Sequence, residues 1–435
     1  MLDNFFNFKE NGTDFKTEII AGITTFLAMS YILAVNPQII SDSGISWGAA
    51  FTATALSSAI ATLVMAFCAN LPVALAPGLG INAFFTYTVV HGMGCTPAFA
   101  LTAVLLEGVL FVVLSIFGIR EALVNSIPLT LRKAIAVALG LFIALIGFAN
   151  AGILTNQAGT PVAFVNFDLE HSSAIVAIIG LIVTIILAMK NIPGAILLGL
   201  VITTIVGIPF GITTIPEGFY PFSKPSAPYF CKFEWTSVIS LKFFIVFFTF
   251  LFTDLFDTIG TFVGVAEQAN LKDENGTIVS AKRALLADAT GTIVGACLGT
   301  STVTSFVESA TGIAAGARTG LASAVTGLLF FSALFLSPVF ALVPPAATAP
   351  ALIFVGFMMM RSIIGIDFRD FSEGIPAFIT IAVMPFSYSI SKGIMMGMIS
   401  FILCKSVAKK ANEIPLVTWI LGAVFLFDFV FEAVK

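Results

Sequence analysis

Long apolar runs alternate with short polar or Gly/Pro-rich breaks from Ile19 to the end of the chain. Many of these runs reach the roughly 20 residues that a helix needs to cross the hydrocarbon of a bilayer. Stretches such as AIVAIIGLIVTIILAM lack the strict alternation of polar and apolar residues that strands of a membrane barrel require. The pattern therefore predicts an all-α polytopic membrane protein.

The breaks divide the runs into two groups of seven predicted helices, separated by a more polar stretch. The predicted helices are 18–38, 47–69, 72–91, 96–118, 127–149, 172–190 and 193–212, then 240–266, 281–299, 301–317, 319–343, 346–361, 372–388 and 390–407. We predict a first seven-helix repeat over 1–212, an external linker over 213–235, a second repeat over 236–407 and a C-terminal apolar tail over 408–435.

Basic residues accumulate in cytoplasmic loops, so their positions test this order of helices. With the N-terminus in the cytoplasm, 15 of the 20 Lys and Arg residues fall in cytoplasmic segments and 4 fall outside. This asymmetry predicts 14 crossings of the cytoplasmic membrane, with both termini in the cytoplasm. The apolar run over 415–431 is nearly long enough for another crossing, but Asp428 and the basic loop before it favour an interfacial or partly embedded helix.

Two predicted helices are interrupted, and they hold matching positions, third and tenth, in the two groups. The third has Pro72, Pro77, Gly78 and Gly80 in its first half, and the tenth begins with the β-branched run LGTSTVTSF. Neither first half favours helix. The matching offsets indicate a duplication, and the odd number of crossings in each copy inverts the second copy. Paired interrupted helices in inverted repeats point to a transporter's binding site at the middle of the membrane.

Composition excludes a soluble protein, because 58% of the 435 residues are hydrophobic, 10% are charged and mean hydropathy is +1.06. The net charge of -4 and the lack of a basic cluster give no indication of a nucleic-acid partner. Five cysteines lie far apart without a CxxC pair, so we expect core packing rather than disulfides. No metal or other cofactor is expected, and the surrounding partner is membrane lipid.

Three acids are predicted near the middle of the membrane. Asp254 and Asp257 lie three residues apart in FLFTDLFDTIGT, on one face of the eighth helix. Glu308 opens the helical half of the tenth helix, and Asn82 holds the matching place in the third. A charged group at the bilayer centre costs about 2.5 to 3.5 kcal/mol. Three such acids therefore predict a hydrated or ligand-filled cavity.

Each of these residues also has a purely structural interpretation. Either aspartate alone could tie two helices together, while Glu308 or Asn82 could cap a half-helix. The conjunction of the three acids favours a binding site. Glu107 and Asp288 stand alone on separate helices, and for them we favour hydrogen bonds between helices.

The three acids suit proton-coupled transport of a planar heterocycle. No Lys or Arg lies at their depth, so desolvation and mutual repulsion favour a bound proton on at least one of them. Such a proton can be exchanged as the site alternates between the two faces. Carboxylates accept N–H donors and protonated carboxyls donate to ring nitrogens or carbonyls. Phe84, Phe85 or Phe256 could supply an aromatic face.

The segments APGLGINAFFTYTVV, FTDLFDTIGTFVGVAEQANL and GTSTVTSFVESATGIAAGARTGL resemble the signature segments of the AzgA-like purine permeases, the hypoxanthine/guanine/adenine branch of the nucleobase/ascorbate transporter superfamily. The similarity covers nearly the whole chain, from EIIAGITTFLAMSYILAVNP onward. The resemblance implies two inverted repeats in which helices 1 to 4 and 8 to 11 form a core domain and the others a gate domain. It also implies an elevator-like movement of the core in a homodimer.

By motif position, the resemblance assigns Asp254, Asp257 and Glu308 to purine binding and proton coupling, and Asn82 to a polar contact. The run DTIGT is also similar to the ESIGD of xanthine and uric acid relatives, so either aspartate could face the base. We rank Asp254 first. The predicted binding set is completed by the neighbouring residues Ala83, Phe84, Thr258 and Ser309.

The sequence thus predicts a secondary active transporter, not an enzyme, that imports adenine, guanine or hypoxanthine with protons. The main alternative is a sulfate or bicarbonate carrier of the same fold, which Glu308 disfavours because a carboxylate would repel the anion. No HExxH or GxSxG motif indicates an enzyme, and a channel needs no paired interrupted helices. The preferred purine, and proton or sodium as the coupling ion, stay open.

Overall fold

The structure, a computed structural model, describes residues 5–117, 128–157, 160–165, 171–268, 280–416, 418–423 and 425–426. The helices before the linker are α1 Phe15–Met29, α2 Ile32–Ser41, α3 Trp47–Val64, α4 Leu79–Ala83, α5 Pro97–Ile116, α6 Leu129–Asn150, α7 Ser172–Met189 and α8 Ala195–Val206. Those after it are α9 Leu241–Gln268, α10 Ala281–Leu298, α11 Ser309–Ala314, α12 Gly320–Ala333, α13 Ser337–Ala341, α14 Pro345–Met359, α15 Phe371–Phe386 and α16 Ile390–Val407.

Shorter elements complete the described secondary structure. The strands are β1 Leu75–Pro77, β2 Leu154–Gln157, β3 Thr160–Phe164 and β4 Val303–Ser305. π-Helical turns continue α3 through Met65–Ala69 and α4 through Phe84–Gly92, and 3-10 turns cover Leu334–Leu336, Met360–Gly365 and Ala411–Glu413.

The chain is a multi-pass membrane protein. Among the described residues, eight helical stretches are long and apolar enough to cross a bilayer, and Ala195–Val206 and Phe371–Phe386 are shorter apolar helices. The prediction of 14 crossings in two inverted repeats, with its linker and tail, stays a prediction. In the tail, residues 418–423 are helical, whereas Asp428 lies outside the described residues.

The interruptions predicted in the third and tenth helices are confirmed as short extended segments. β1 and β4 pair antiparallel, with Leu75 opposite Ser305 and Pro77 opposite Val303. The Gly78 N–H continues the pairing by donating to the Thr302 carbonyl at 3.0 Å. Backbone groups that leave a helix inside a membrane must find other partners. The two interrupted segments supply these partners to each other.

Three local features differ from the predicted helices. The first predicted helix is broken at Ser30 and Tyr31, between α1 and α2, and the eleventh is broken into α12, a 3-10 turn and α13, where Pro338 lies in the first turn. β2 and β3 form an antiparallel hairpin after α6, in a segment predicted as a loop.

The helices pack in two groups. In the first group, α12 packs against α1 and α3, and α10 packs against α3 and α5. In the second group, α14 packs against α6, α7 and α8, and α15 packs against α6 and α16. Small residues bring the backbones close in the second group. The point that a Cβ at Gly140 would occupy is 2.6 Å from the Gly356 carbonyl oxygen. Such contacts are typical of membrane helices, whose association depends on packing.

This crossing yields a stability prediction. Gly356→Leu should lower the melting temperature of the detergent-solubilised protein, because the new side chain collides with Gly140 and with the Ala144 methyl at 2.9 Å from its Cβ. Overpacking of this kind costs about 1–3 kcal/mol. Phe357→Leu is the matched control, since Phe357 is 57% exposed and should tolerate the change. Equal melting temperatures for the two variants would contradict the close crossing.

Candidate functional site

A small cavity of about 80 Å³ lies where the two interrupted segments face α6 and α14. Its polar side chains are those of Tyr31, Asp257, Ser305 and Glu308. The remaining lining residues are Gly78, Leu79, Gly80, Ile81, Leu139, Ile143, Phe306, Val307, Val355 and Met359. The cavity therefore has an acidic, polar wall formed by α9 and the interrupted segments, and an aliphatic wall formed by α6 and α14.

Two of the three predicted acids meet in this cavity. Asp257 comes from α9, and Glu308 directly precedes the first residue of α11. A Cβ at Gly78 would lie 3.5 Å from Asp257 Oδ2 and 2.9 Å from a methyl carbon of Thr304. Glycine at this position thus leaves room for the carboxylate beside the paired strands.

Tyr31 joins the acids, although the sequence analysis did not single it out. Its hydroxyl donates to Glu308 Oε1 at 2.7 Å, and the side chain is fully buried. Glu308 occupies the N-cap position of α11, but its side chain makes no capping hydrogen bond among the described residues. The break between α1 and α2 falls at Tyr31, so the first predicted helix contributes a polar group at the level of the site. A lone tyrosine in the apolar run FLAMSYILAV was the available signal.

Asp254 lies one turn from Asp257 but faces a different environment. The Thr258 hydroxyl is 3.0 Å from Asp254 Oδ1, 3.2 Å from both carboxylate oxygens of Asp288 and 2.8 Å from the Thr304 hydroxyl. Asp254 is fully buried and is absent from the cavity lining among the described residues. This network joins α9, α10 and β4. The hydrogen bond between helices expected of Asp288 is present.

Three other predicted binding residues, Asn82, Ser309 and Phe84, do not line the cavity and instead contact neighbouring segments. The Ser301 hydroxyl donates to Asn82 Oδ1, and the Ser309 hydroxyl accepts from the Ala74 N–H at 3.0 Å. Phe84 packs edge-on against Phe250, with ring centroids 4.8 Å apart.

Ala83, predicted to bind substrate, and Phe85, predicted as a possible aromatic face, are buried and do not line the cavity. The ring of Phe256, the other possible aromatic face, is outside the described side chains. Glu107, interpreted as structural, accepts from the Thr302 hydroxyl at 2.9 Å and so supports the segment that leads into β4.

A second cavity, of about 220 Å³, adjoins the first and shares six lining residues with it, including both acids. It extends past Met358 to Arg361 and Ser362, at the end of α14. Arg361 is exposed. The site therefore has a path toward this end of the molecule, which the basic residues predict to be cytoplasmic.

Aromatic side chains from three segments meet on the side of the molecule away from Arg361. The Tyr87 hydroxyl donates to Asp42 Oδ2 at 2.8 Å, and the ring centroids of Tyr87 and Tyr388 are 6.2 Å apart. Tyr388 in turn packs edge-on against Phe142 of α6 at 5.3 Å. These contacts join the third predicted helix to the loop between α15 and α16, on the side away from Arg361.

Comparison with known proteins decides the family. Residues 16–396 match the permease family that includes the xanthine and uracil permeases. The chain belongs to this xanthine/uracil permease family. The matched residues include the interrupted segments, the acids and the aliphatic wall. The permease is a transporter and not an enzyme.

Two relatives align with the permease over almost its full length. The guanine/hypoxanthine permease PbuG of Bacillus subtilis is 41% identical over 99% of this chain and 100% of its own. The adenine permease AdeP of Escherichia coli is 38% identical over 99% of this chain and 96% of its own. The resemblance stated from the motifs is thus confirmed.

Solved structures show the same fold at low sequence identity. The transmembrane domain of the cyanobacterial bicarbonate transporter BicA superposes with a TM-score of 0.65 and 16% identity, covering 87% of the permease and 97% of that domain. SLC26A9 superposes with a TM-score of 0.61 and 12% identity, covering 90% of the permease and 65% of that chain.

Proposed function

We propose that this permease imports purine bases, adenine, guanine or hypoxanthine, by proton symport. The observation that carries the proposal is the placing of Asp257 and Glu308 in one small cavity beside the paired strands. The names of the relatives support the substrate class, because guanine, hypoxanthine and adenine permeases align over nearly the whole chain. The cavity supplies the groups that such a substrate needs.

A purine base presents N–H donors and ring-nitrogen or carbonyl acceptors along a planar edge. In the proposed complex, Asp257 and Glu308 accept the N–H groups, and the Tyr31 and Ser305 hydroxyls reach the acceptors. The ring faces lie against the aliphatic wall of Leu139, Ile143, Val355 and Met359. Small ligand sites commonly combine such apolar walls with a few placed polar groups.

Proton coupling is assigned to the same acids. Asp257 and Glu308 repel each other when both are charged, and burial disfavours two charges in one small space. A proton bound by the pair removes part of this cost, and an incoming N–H donor then meets the remaining carboxylate. Asp254, tied to Thr258, is proposed to hold α9 in place behind Asp257 rather than to contact the base.

Alternating access is proposed as an elevator-like movement of α9 and α11, which pack against α5 and α1 of the first helix group, past the group that contains α6 and α14. The cavity is lined by residues of both groups and reaches Arg361 at one end, and the proposed closure at the other end is the contact of Tyr87 with Tyr388. In the predicted topology this is the inward-open state. The proposed setting is the cytoplasmic membrane, with both termini in the cytoplasm and the protein as a homodimer.

The rival function is anion transport, since BicA and SLC26A9 share the fold. The lining argues against it: the cavity contains two carboxylic acids, and within the described lining its one basic residue, Arg361, is at the far end of the second cavity. Carboxylates beside the site would repel sulfate or bicarbonate.

Uptake of radiolabelled adenine, guanine and hypoxanthine in a host that lacks purine transport tests the proposal. We expect uptake of at least one of these purines, its collapse with a protonophore, and persistence when sodium is replaced by choline. Excess unlabelled purine should compete, whereas sulfate should not. Uptake of none of the purines, or competition by sulfate, would contradict purine transport. Uptake that depends on sodium would contradict the proposal that protons are the coupling ion.

Tyr31→Phe should weaken purine uptake without abolishing it. The substitution keeps the buried ring and removes the hydroxyl that donates to Glu308. A hydrogen bond to a charged group contributes about 1.5–3 kcal/mol, but water in the cavity can replace part of it, so we expect an increase in KM of about threefold to tenfold. Tyr220→Phe, at an exposed position of the linker, is the control. An unchanged KM in Tyr31→Phe would remove the hydroxyl from the site.

A further inference from the structure

Cys231 and Cys297 are 66 positions apart in the sequence and neighbours in the structure. The Cys231 N–H donates to the Cys297 carbonyl at 2.8 Å. Their side chains are close enough for the two thiols to interact. The expectation of core packing was wrong for Cys68 and Cys231, which are exposed, whereas the partly exposed Cys95 packs against the core.

The surrounding backbone holds the two cysteines together. Cys231 belongs to the polar linker before α9 and has a left-handed backbone with φ 50°. Cys297 lies in the last turn of α10, just before Gly299. A Cβ at Gly299 would lie 2.6 Å from the Tyr229 Cβ, so the linker packs directly on the end of α10. The linker and the end of α10 are therefore in direct backbone contact where the two cysteines lie.

The backbone contact is compatible with a disulfide. Disulfides join residues whose Cα atoms are usually about 4.4–6.8 Å apart. The direct hydrogen bond from the Cys231 N–H to the Cys297 carbonyl brings the two backbones into contact at 2.8 Å, and the two thiols interact with each other.

We propose that Cys231 and Cys297 are a redox site that forms a reversible disulfide on the external face of the membrane. The basic-residue distribution predicts that both the linker and the end of α10 lie outside, where disulfides persist. Cys231 is the exposed partner and meets the oxidant first, while the half-exposed Cys297 resolves the intermediate.

The oxidant is a small-molecule disulfide, and the exchange balances without another reactant. The Cys231 thiolate attacks the external disulfide, forms a mixed disulfide and releases one small thiolate. The Cys297 thiolate then attacks the Cys231 sulfur and releases the second small thiolate. The protons lost by the two cysteines end on the two released thiols. The two electrons from the cysteines reduce the external disulfide.

The disulfide would close a covalent loop of the chain from Cys231 to Cys297, and this loop contains Asp257. All of α9 and nearly all of α10 lie between residues 231 and 297, and the end of α10 leads into β4 and Glu308. Oxidation would fix the linker to the end of α10 in the arrangement described here. The inference stands apart from the proposed substrate, since it depends only on the two thiols.

The test counts free thiols in intact cells that express the full chain. Cells are treated with oxidised glutathione, which does not cross the membrane, then denatured and labelled with a maleimide polymer that shifts the gel band once per thiol. We expect the count to fall from five to three in the wild type and to return to five with a reductant. Mass spectrometry should find the Cys231 and Cys297 peptides joined and two hydrogen atoms lighter.

Cys231→Ser should lose at most one of its four labelled thiols on oxidation, as a mixed disulfide of Cys297 with glutathione, and should give no cross-linked peptide. Cys95→Ser, at a partly exposed cysteine elsewhere, is the matched control and should fall from four to two. Five labelled thiols in the oxidised wild type would overturn the proposal. So would a loss of two thiols in the Cys231→Ser variant, or a linked peptide that contains a different pair.

Discussion

Glu308→Gln is expected to lower purine uptake at least about 100-fold while leaving the protein in the membrane. The substitution keeps the size of the side chain and removes the carboxylate charge. That carboxylate accepts a hydrogen bond from the Tyr31 hydroxyl and, in the proposed complex, one from a purine N–H. Loss of a charge-assisted hydrogen bond costs about 1.5–3 kcal/mol, and 1.4 kcal/mol corresponds to tenfold in binding. Glu308 is also a proposed proton acceptor, so coupling is lost together with affinity.

Two measurements separate a functional loss from a folding defect. Initial uptake rates are compared at equal amounts of membrane-inserted protein, determined by immunoblot of washed membranes. Glu217→Gln, the same change at an exposed position of the linker, should transport like the wild type. Wild-type uptake in the Glu308→Gln variant would remove Glu308 from both binding and coupling.

Asp257→Asn is expected to reduce uptake by about 100-fold, and Asp254→Asn is expected to reduce it less. Asp257 lines both cavities, whereas Asp254 is buried beside Thr258. Removing the Asp257 charge takes away a direct contact of about 1.5–3 kcal/mol and one of the acids that share a proton. Asp254→Asn keeps a side chain that can accept from Thr258 and should mainly lower stability.

The two effects are distinguished by measuring uptake kinetics and melting temperature for both variants. Asp367→Asn, at an exposed position after α14, serves as the control for the chemistry of the change. A larger loss of uptake in Asp254→Asn than in Asp257→Asn, at unchanged melting temperature, would restore the order that the motif suggested. It would also require α9 to turn about its axis when substrate binds.

The interruptions of the third and tenth helices could be predicted because their causes are local. Pro77 and Gly78, like the β-branched residues before Glu308, weaken helix wherever they occur. The break at Tyr31 has no such local cause. It is stabilised by a hydrogen bond to a residue 277 positions away, so a single apolar run could not reveal it.

The three acids were recognisable from the sequence, but their surroundings were not. Asp254 and Asp257 differ by about 60° around a helix with 3.6 residues per turn. This small angle is enough to direct Asp257 into the cavity and Asp254 toward Thr258. Rotation of a helix about its axis depends on all its neighbours, and spacing within one helix does not determine it. The pairing of Cys231 with Cys297 is likewise a tertiary contact.

The antiparallel pairing of β1 with β4 bears on how substrate preference changes during evolution. Main-chain hydrogen bonds position both halves of the chamber, and such bonds form whatever side chains the strands carry. Exchanges at Ser305 or Ile81 can therefore alter which edge of a ring is recognised while the frame stays intact. The substrate preference of one fold can in this way change from one purine to another through few mutations, because the intermediate sequences keep the paired strands and still fold.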